Sequence, residues 1–224
     1  MSPVQIDLIQ EIPCFMGLSA KERDWLSRAC GDHRIEKGSA VLEKYQEKDP
    51  AGNLVRDWAF FVVYAGYVKV VERTNDVESR MVGILGRGDT IRLSDYPGFE
   101  FIALGRCRIF SLDSIGFSIL EKLVPAQFLS GENYERTPTA AVRLTAEERL
   151  LKFLELNSKR FGRLEGAQVW LPFALSRKDL AKALEIRPET AIRLARKLEK
   201  EGLLRCEKTQ TWISLNIWKD RASH

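Results

Sequence analysis

The sequence predicts an α+β protein with a strand-rich front and a helical, basic back. Three observations carry this. Short runs of branched and aromatic residues, separated by turn residues, recur from residue 40 to residue 112. The strand signal stops at Gly116, and capped amphipathic patterns take over. Charge follows the same division: residues 1–142 hold 17 Lys+Arg against 20 Asp+Glu, a net of −3, whereas residues 143–224 hold 18 against 11, a net of +7. An acidic front and a basic back predict two domains, the second with a polyanionic partner.

The elements follow in order. Ser19 with Glu22 forms a capping box, and Trp25, Leu26 and Ala29 supply the apolar face of a short helix. After Lys37-Gly38, residues 40–42, 59–64, 67–71, 81–85, 99–103 and 107–112 read as strands. Asp49-Pro50, Gly52-Asn53, Ala65-Gly66, Asn75-Asp76, Gly86 and Gly88-Asp89 separate them. Short strands at this spacing predict an antiparallel barrel or sandwich. Residues 117–129 fit a helix with a break or start at Pro125. Gly131, Thr137 and Pro138 then interrupt the chain, the best boundary between front and back. Thr145 and Glu148 open a second capped helix through about Lys159, with Leu150, Leu151, Phe153 and Leu154 as its stripe. A loop bounded by Gly162 and Gly166 and a short strand at 168–172 follow.

Composition narrows the chemistry. The chain has 224 residues and no run of eighteen apolar ones, so no membrane span is expected. Residues 1–10 lack a basic start followed by an apolar stretch, so no secretory signal is expected. Cys14, Cys30, Cys107 and Cys206 lie far apart, and the only histidines are His33 and His224. That spacing fits neither a disulfide scaffold nor a local metal or iron–sulfur site, and the expected compartment is a reducing cytoplasm. Cys30 and Cys107 are expected in the core, with a minor redox reading for Cys206. No metal and no cofactor are expected. No nucleophile elbow, P-loop or H-E-x-x-H is present, so no enzymatic activity is expected.

Residues 176–216 carry the functional signal. Ser176 caps a helix whose inner face is Leu180, Ala181 and Leu184. Glu185-Ile186-Arg187 makes a corner. Pro188 suits the first position of a second helix, whose inner face is expected to be Ile192, Leu194, Ala195 and Leu198. Gly202 ends it, and residues 203–206 and 211–215 read as a hairpin. Two helices, a tight corner and a hairpin make a winged helix-turn-helix. A helix about 10–12 Å across fits a major groove about 12 Å wide. Glu189, Thr190 and Arg193 face outward at its start. Glu can accept from a base amino group, and Arg can grip guanine twice. Arg177 and Lys178 oppose the dipole of the first helix, a cost that phosphate contact explains. A solvated Glu189–Arg193 ion pair is the bland alternative.

Leu175 to Ala181, Pro188 to Arg193 and Leu198 to Leu203 resemble the helix-turn-helix of the Crp–Fnr superfamily of bacterial transcription regulators. Lys37-Gly38, Tyr64 to Val68 and Gly86 to Asp89 resemble, in order, the cyclic-nucleotide-binding-type β-roll of that superfamily. The resemblance implies an antiparallel, jelly-roll-like sensor domain over 1–116. A linker with a shortened dimerisation helix would follow over 117–144, and a winged helix-turn-helix over 145–224. It implies that Glu189 and Arg193 read bases, that Ser176, Arg177 and Thr190 hold phosphates, and that Lys208 sits in the wing. Double-stranded DNA would be the partner of a homodimer reading a palindrome through residues 188–201, with RNA polymerase a further partner for an activator.

Two departures from the family pattern bear on mechanism. Nucleotide-binding members carry Gly-Glu soon after the Gly-Asp turn, then Arg-Ser or Arg-Thr before Ala. Here Thr90-Ile91-Arg92-Leu93 follows Gly88-Asp89, and residues 97–103 hold no Arg. A buried phosphate without a cation is costly, so no cyclic AMP response is expected and no effector is assigned. Residues 125–148 show no sustained heptad for the usual long dimer helix. Within the motif, Pro188 stands where an Arg is frequent, and Arg187 where a small hydroxyl residue is usual. The rival reading is an interaction or sensor module whose winged helix does not bind DNA.

Overall fold

The computed structural model describes residues 6–41, 58–73, 79–129 and 144–219. The chain divides into two compact units, Met1–Val70 with Ile84–Tyr134, and Val71–Gly83 with Glu135–His224.

In the first unit, α1 (Ile6–Gln10) and α2 (Ala20–Ala29) precede the strands. The capping box forms as expected: Ser19 N–H donates to Glu22 Oε2 at 2.6 Å, and Ser19 Oγ accepts from Glu22 N–H. Strands β1 (Gly31–Ile35) and β2 (Trp58–Ala65) join one sheet; β3 (Val68–Arg73) and β4 (Ser79–Leu85), whose residues 71–73 and 79–83 are grouped with the second unit, join another. With β5 (Thr90–Arg92), β6 (Phe99–Ala103) and β7 (Cys107–Asp113), the orders are β1-β7-β2-β5 and β4-β3-β6. Pairings in the first sheet are antiparallel, with Phe61 opposite Ser111 and His33 opposite Ile109. Ile9, Phe15, Leu26, Phe60, Phe110, Leu120 and their neighbours form one core.

Strands β1 and β5 go beyond the sequence reading. β1 is polar on paper, yet its burial alternates: Gly31, His33 and Ile35 are buried and Arg34 is exposed. His33 Nε2 meets Ser111 Oγ at 2.6 Å, so the buried polar pair is satisfied. On the neighbouring register, Arg108 grips Asp32 through two bonds of 2.9 and 2.7 Å. Residues 40–42 yield only a bridge from Ala40 to Ile102 among the described residues. Gly66, at φ 86°, closes the β2–β3 turn; a Cβ there would sit 2.5 Å from the Arg106 carbonyl oxygen.

The helix expected over 117–129 begins earlier and is split. Asp113 Oδ1 accepts from Gly116 N–H at 2.8 Å and caps α3 (Ser114–Leu123). Pro125 separates it from α4 (Ala126–Leu129). The stretch read as a shortened dimer helix falls mostly on residues 130–143, outside the described residues.

The second unit holds α5 (Ala146–Phe161), β8 (Arg163–Glu165), β9 (Gln168–Leu171), α6 (Arg177–Leu184) and α7 (Pro188–Lys200). Strands β10 (Leu204–Cys206) and β11 (Thr211–Ser214) and helix α8 (Asn216–Lys219) complete it. The sheet order is β10-β11-β9-β8, so the glycine-bounded loop at 162–166 contains an edge strand, exposed throughout. Thr145 and Glu148 form the second capping box. Leu150, Phe153 and Leu154 of α5, Leu180 and Leu184 of α6, Ala195 and Leu198 of α7 and Ile213 of β11 are all at most 1% exposed. This shared core fixes the angle at which α7 is held. No helix among the described residues is long and apolar enough to cross a membrane.

Candidate nucleic-acid interface

Helix α6 starts at a doubly bonded cap. Ser176 Oγ accepts from Asp179 N–H at 3.0 Å and donates to Asp179 Oδ2 at 2.6 Å. The buried Asp179 thus has a partner, and a carboxylate in the first turn favours the helix dipole. Arg177 turns inward. Its Nη2 donates to Glu199 Oε1 at 2.5 Å and its Nη1 to Cys206 Sγ at 3.4 Å, tying α6 to α7 and β10. Burial opposes the guanidinium charge, but Glu199 and Cys206 outweigh it and hold Arg177 more firmly protonated than usual. Burial also pushes the Cys206 thiol up, and Arg177 only partly offsets this. Cys206 therefore stays a thiol at neutral pH, which removes the basis of a reactive thiolate. Lys178 is exposed beside Arg177.

The corner between α6 and α7 is built on Glu185. It is the only non-glycine residue with positive φ (51°) among the described residues. Ile186 N–H donates to the Ala181 carbonyl at 3.1 Å, and Glu185 Oε1 accepts from Arg80 Nη1 at 3.2 Å. Arg187 is then extended, and Pro188 takes the first helical position. At the far end Gly202 is left-handed (φ 69°), and Leu203 N–H reaches back to the Leu198 carbonyl at 2.8 Å.

Helix α7 is sharply two-sided. Ala191, Ala195 and Leu198 are buried; Glu189, Arg193, Arg196 and Lys200 are exposed. Spaced four, three and four apart, those four lie on one stripe. Glu189 and Arg193 do not pair with each other, and neither Arg193, Arg196 nor Lys200 makes an ion pair among the described residues. Lys197 does pair, with Glu147 of α5 at 3.0 Å, and so braces the helix from its side. An open groove of about 670 Å³ runs along the outer face, lined by Glu189, Ile192, Arg193, Arg196, Lys197, Lys200 and Glu201.

Of the residues singled out from sequence, Glu189 and Arg193 share the outer face of α7. Thr190 is half-buried beside them, Ser176, Arg177 and Lys178 open α6, and Lys208 is exposed in the turn of the wing. That turn is fixed by Trp170 Nε1 donating to Gln210 Oε1 at 2.7 Å and by Gln210 Nε2 donating to Glu207 at 2.7 Å. The inner face differs from expectation: Ala191 is buried, whereas Ile192 and Leu194 are only half-buried. The sequence reading overlooked Arg196 and Lys200, which extend the spacing of Glu189 and Arg193, and Glu199, whose role emerges only when α6 and α7 are packed.

In the first unit, the Gly88-Asp89 turn is closed by Asp89 Oδ2 accepting from Gly86 N–H at 2.7 Å. Arg92 points its Nη1 at Glu121 (3.1 Å), lies 3.8 Å from Asp95 and stacks 5.2 Å from the centre of the Phe117 ring. It lines a cavity of about 470 Å³ with Ser94, Ser114, Ser118 and Glu121. Cys14, Cys30 and Cys107 are buried, and burial drives the Cys14 thiol up to about 12.

Residues 148–218 match the Crp-like helix-turn-helix domain. No curated protein sequence matches the chain. Solved structures of similar fold include a cyclic nucleotide-binding domain containing protein from Listeria monocytogenes EGD-e, 14% identical, covering 94% of this chain and 96% of that one, with a TM-score of 0.63. A CooA variant from Carboxydothermus hydrogenoformans is 19% identical over 88% of each chain, with a TM-score of 0.59. FixK2 from Bradyrhizobium japonicum is 18% identical over 85% of this chain and 94% of that one, also with a TM-score of 0.59. Residues 148–218 are thus similar to the Crp-like helix-turn-helix domain, and the chain as a whole shares the fold of these solved structures.

Proposed function

We propose that this chain is a sequence-specific transcription regulator that binds a palindromic DNA site as a homodimer. Residues 188–201 enter the major groove of each half-site. The observation that carries this reading is the outer stripe of α7, where Glu189, Arg193, Arg196 and Lys200 stand exposed and the three cations make no ion pair among the described residues. Unpaired cations beside one carboxylate suit a polyanion with readable base edges. Glu189 and Arg193 contact bases. Ser176, Arg177, Lys178, Thr190 and Lys208 contact phosphates and set the register. Arg177 has more N–H donors than Glu199 and Cys206 use, so it can serve a phosphate while locked in place. Two copies are required because a palindrome presents its half-sites about 34–36 Å apart.

Cyclic AMP does not gate the protein in this reading. Arg92, the cation that follows the Gly88-Asp89 turn and could replace the missing phosphate-binding Arg, is engaged by Glu121 and Asp95. Calorimetry with cyclic AMP should give no heat of binding; micromolar affinity would contradict it. The regulator reading itself is tested by enriching genomic fragments on the purified protein. A common palindrome bound at nanomolar concentration is expected; recovery of random fragments would favour the interaction-module alternative.

A further inference from the structure

Ile192 is half-buried on α7. On a helix advancing about 100° per residue, Ile192 lies roughly a quarter turn from the middle of the buried row formed by Ala191, Ala195 and Leu198. It therefore stands on the rim of the outer face, and it lines the groove with Glu189, Arg193, Arg196 and Lys200. A β-branched residue is a poorer helix former than Ala, and incomplete burial recovers only part of its apolar contribution.

The surroundings narrow what can cover it. Among the described residues, Ile192 is the only uncharged one lining this groove. An apolar protein surface would have to bury the flanking Arg and Lys side chains with it, which is costly without paired acids. A polyanion that carries isolated methyl groups among polar edges meets the pattern without that cost. In the major groove of B-DNA that group is the C5 methyl of thymine. Free phosphate, single charges or sugar hydroxyls offer Ile192 nothing.

We propose that Ile192 is a specificity-determining residue that packs on a thymine methyl in the half-site, next to the base pair contacted from the same stripe by Glu189 and Arg193. The proposal rests on the DNA-binding reading above and adds to it a base preference that no charged residue can supply. Removing the methyl should cost about fourfold in affinity, the factor carried by one buried methyl-sized group.

The test uses the full chain and the palindrome recovered by enrichment. Each thymine of a half-site is replaced in turn by deoxyuridine, which removes only the C5 methyl. The wild type should lose about fourfold at one thymine and close to nothing at the others. Ile192→Ala should abolish that one penalty while keeping discrimination at the bases assigned to Glu189 and Arg193. Ile192→Val, which keeps most of the side chain, should retain part of it; an unchanged melting temperature for both variants shows that the fold is intact. A flat deoxyuridine scan on a protein that still selects its palindrome would overturn the Ile192 assignment alone. So would a penalty that survives in Ile192→Ala. Failure to select any sequence would overturn the DNA reading and this one with it.

Discussion

Three arginines of the first unit and two of α7 are deployed in opposite ways. In the first unit Arg92, Arg87 and Arg108 each meet a carboxylate: Glu121, Glu11 and Asp32 at 3.1, 2.6 and 2.7 Å. On α7, Arg193 and Arg196 meet none among the described residues, although Glu189 stands one turn from Arg193. The second unit does pair cations where position matters, with Arg177 on Glu199 and Lys197 on Glu147. These pairs tie α6 and α5 to α7, while Arg193, Arg196 and Lys200 stay open along its outer stripe among the described residues. In the front, Arg87, Arg92 and Arg108 direct their charge onto these carboxylates.

This contrast can be broken first at Arg193. Arg193→Ala should weaken specific binding by about 1–3 kcal/mol and relax one base position, with folding stability within about 0.5 kcal/mol of wild type. Fluorescence titration and urea melts read both.

Arg108→Ala should do the reverse, lowering stability by about 1 kcal/mol and leaving DNA affinity unchanged. The Arg108 guanidinium, bonded to Asp32, holds that carboxyl below its usual range. A depressed carboxylate contributes stability above its unfolded value, near pH 4, and loses it as pH falls through the folded value. The stability gap between wild type and Arg108→Ala should accordingly close as pH drops below about 4. A gap that persists there would assign the bond to packing alone.

The smallest effects come from Lys178 and Glu185. Lys178→Ala should weaken all sequences alike and reduce the slope of log affinity against log salt by about 0.9, the value of one phosphate contact. Glu185→Gly removes a left-handed non-glycine residue but also the ion pair with Arg80. Strain relief of about 1 kcal/mol against an exposed pair worth less predicts a small net gain in stability.

The legible parts of the fold were those with local causes. Ser19, Thr145 and Ser176 announce helix starts because the cap bond joins residues three apart, and all three caps form. Pro188 and Gly202 mark the ends of α7 for equally local reasons. β1 escaped because Asp32, His33 and Arg34 resemble a loop until Arg108 and Ser111 arrive from β7. The left-handed Glu185 escaped because nothing local favours Glu there. At the candidate site, Glu189 and Arg193 were legible from helical spacing, and Arg196 and Lys200 could have been by the same rule. The exchange of Ile192 for Ala191 on the inner face was not, because it depends on how α7 rolls against α5 and α6.

The central claim is that α7 presents its open charges to base edges. Its most direct measurement is the ratio of affinities for the enriched palindrome and a scrambled duplex, taken for wild type and Arg193→Ala in the same salt. The account predicts a wild-type ratio of about a thousand or more, cut by about tenfold or more in the variant through loss on the palindrome alone. Equal losses on both duplexes would contradict it, leaving Arg193 as one more charge near a phosphate.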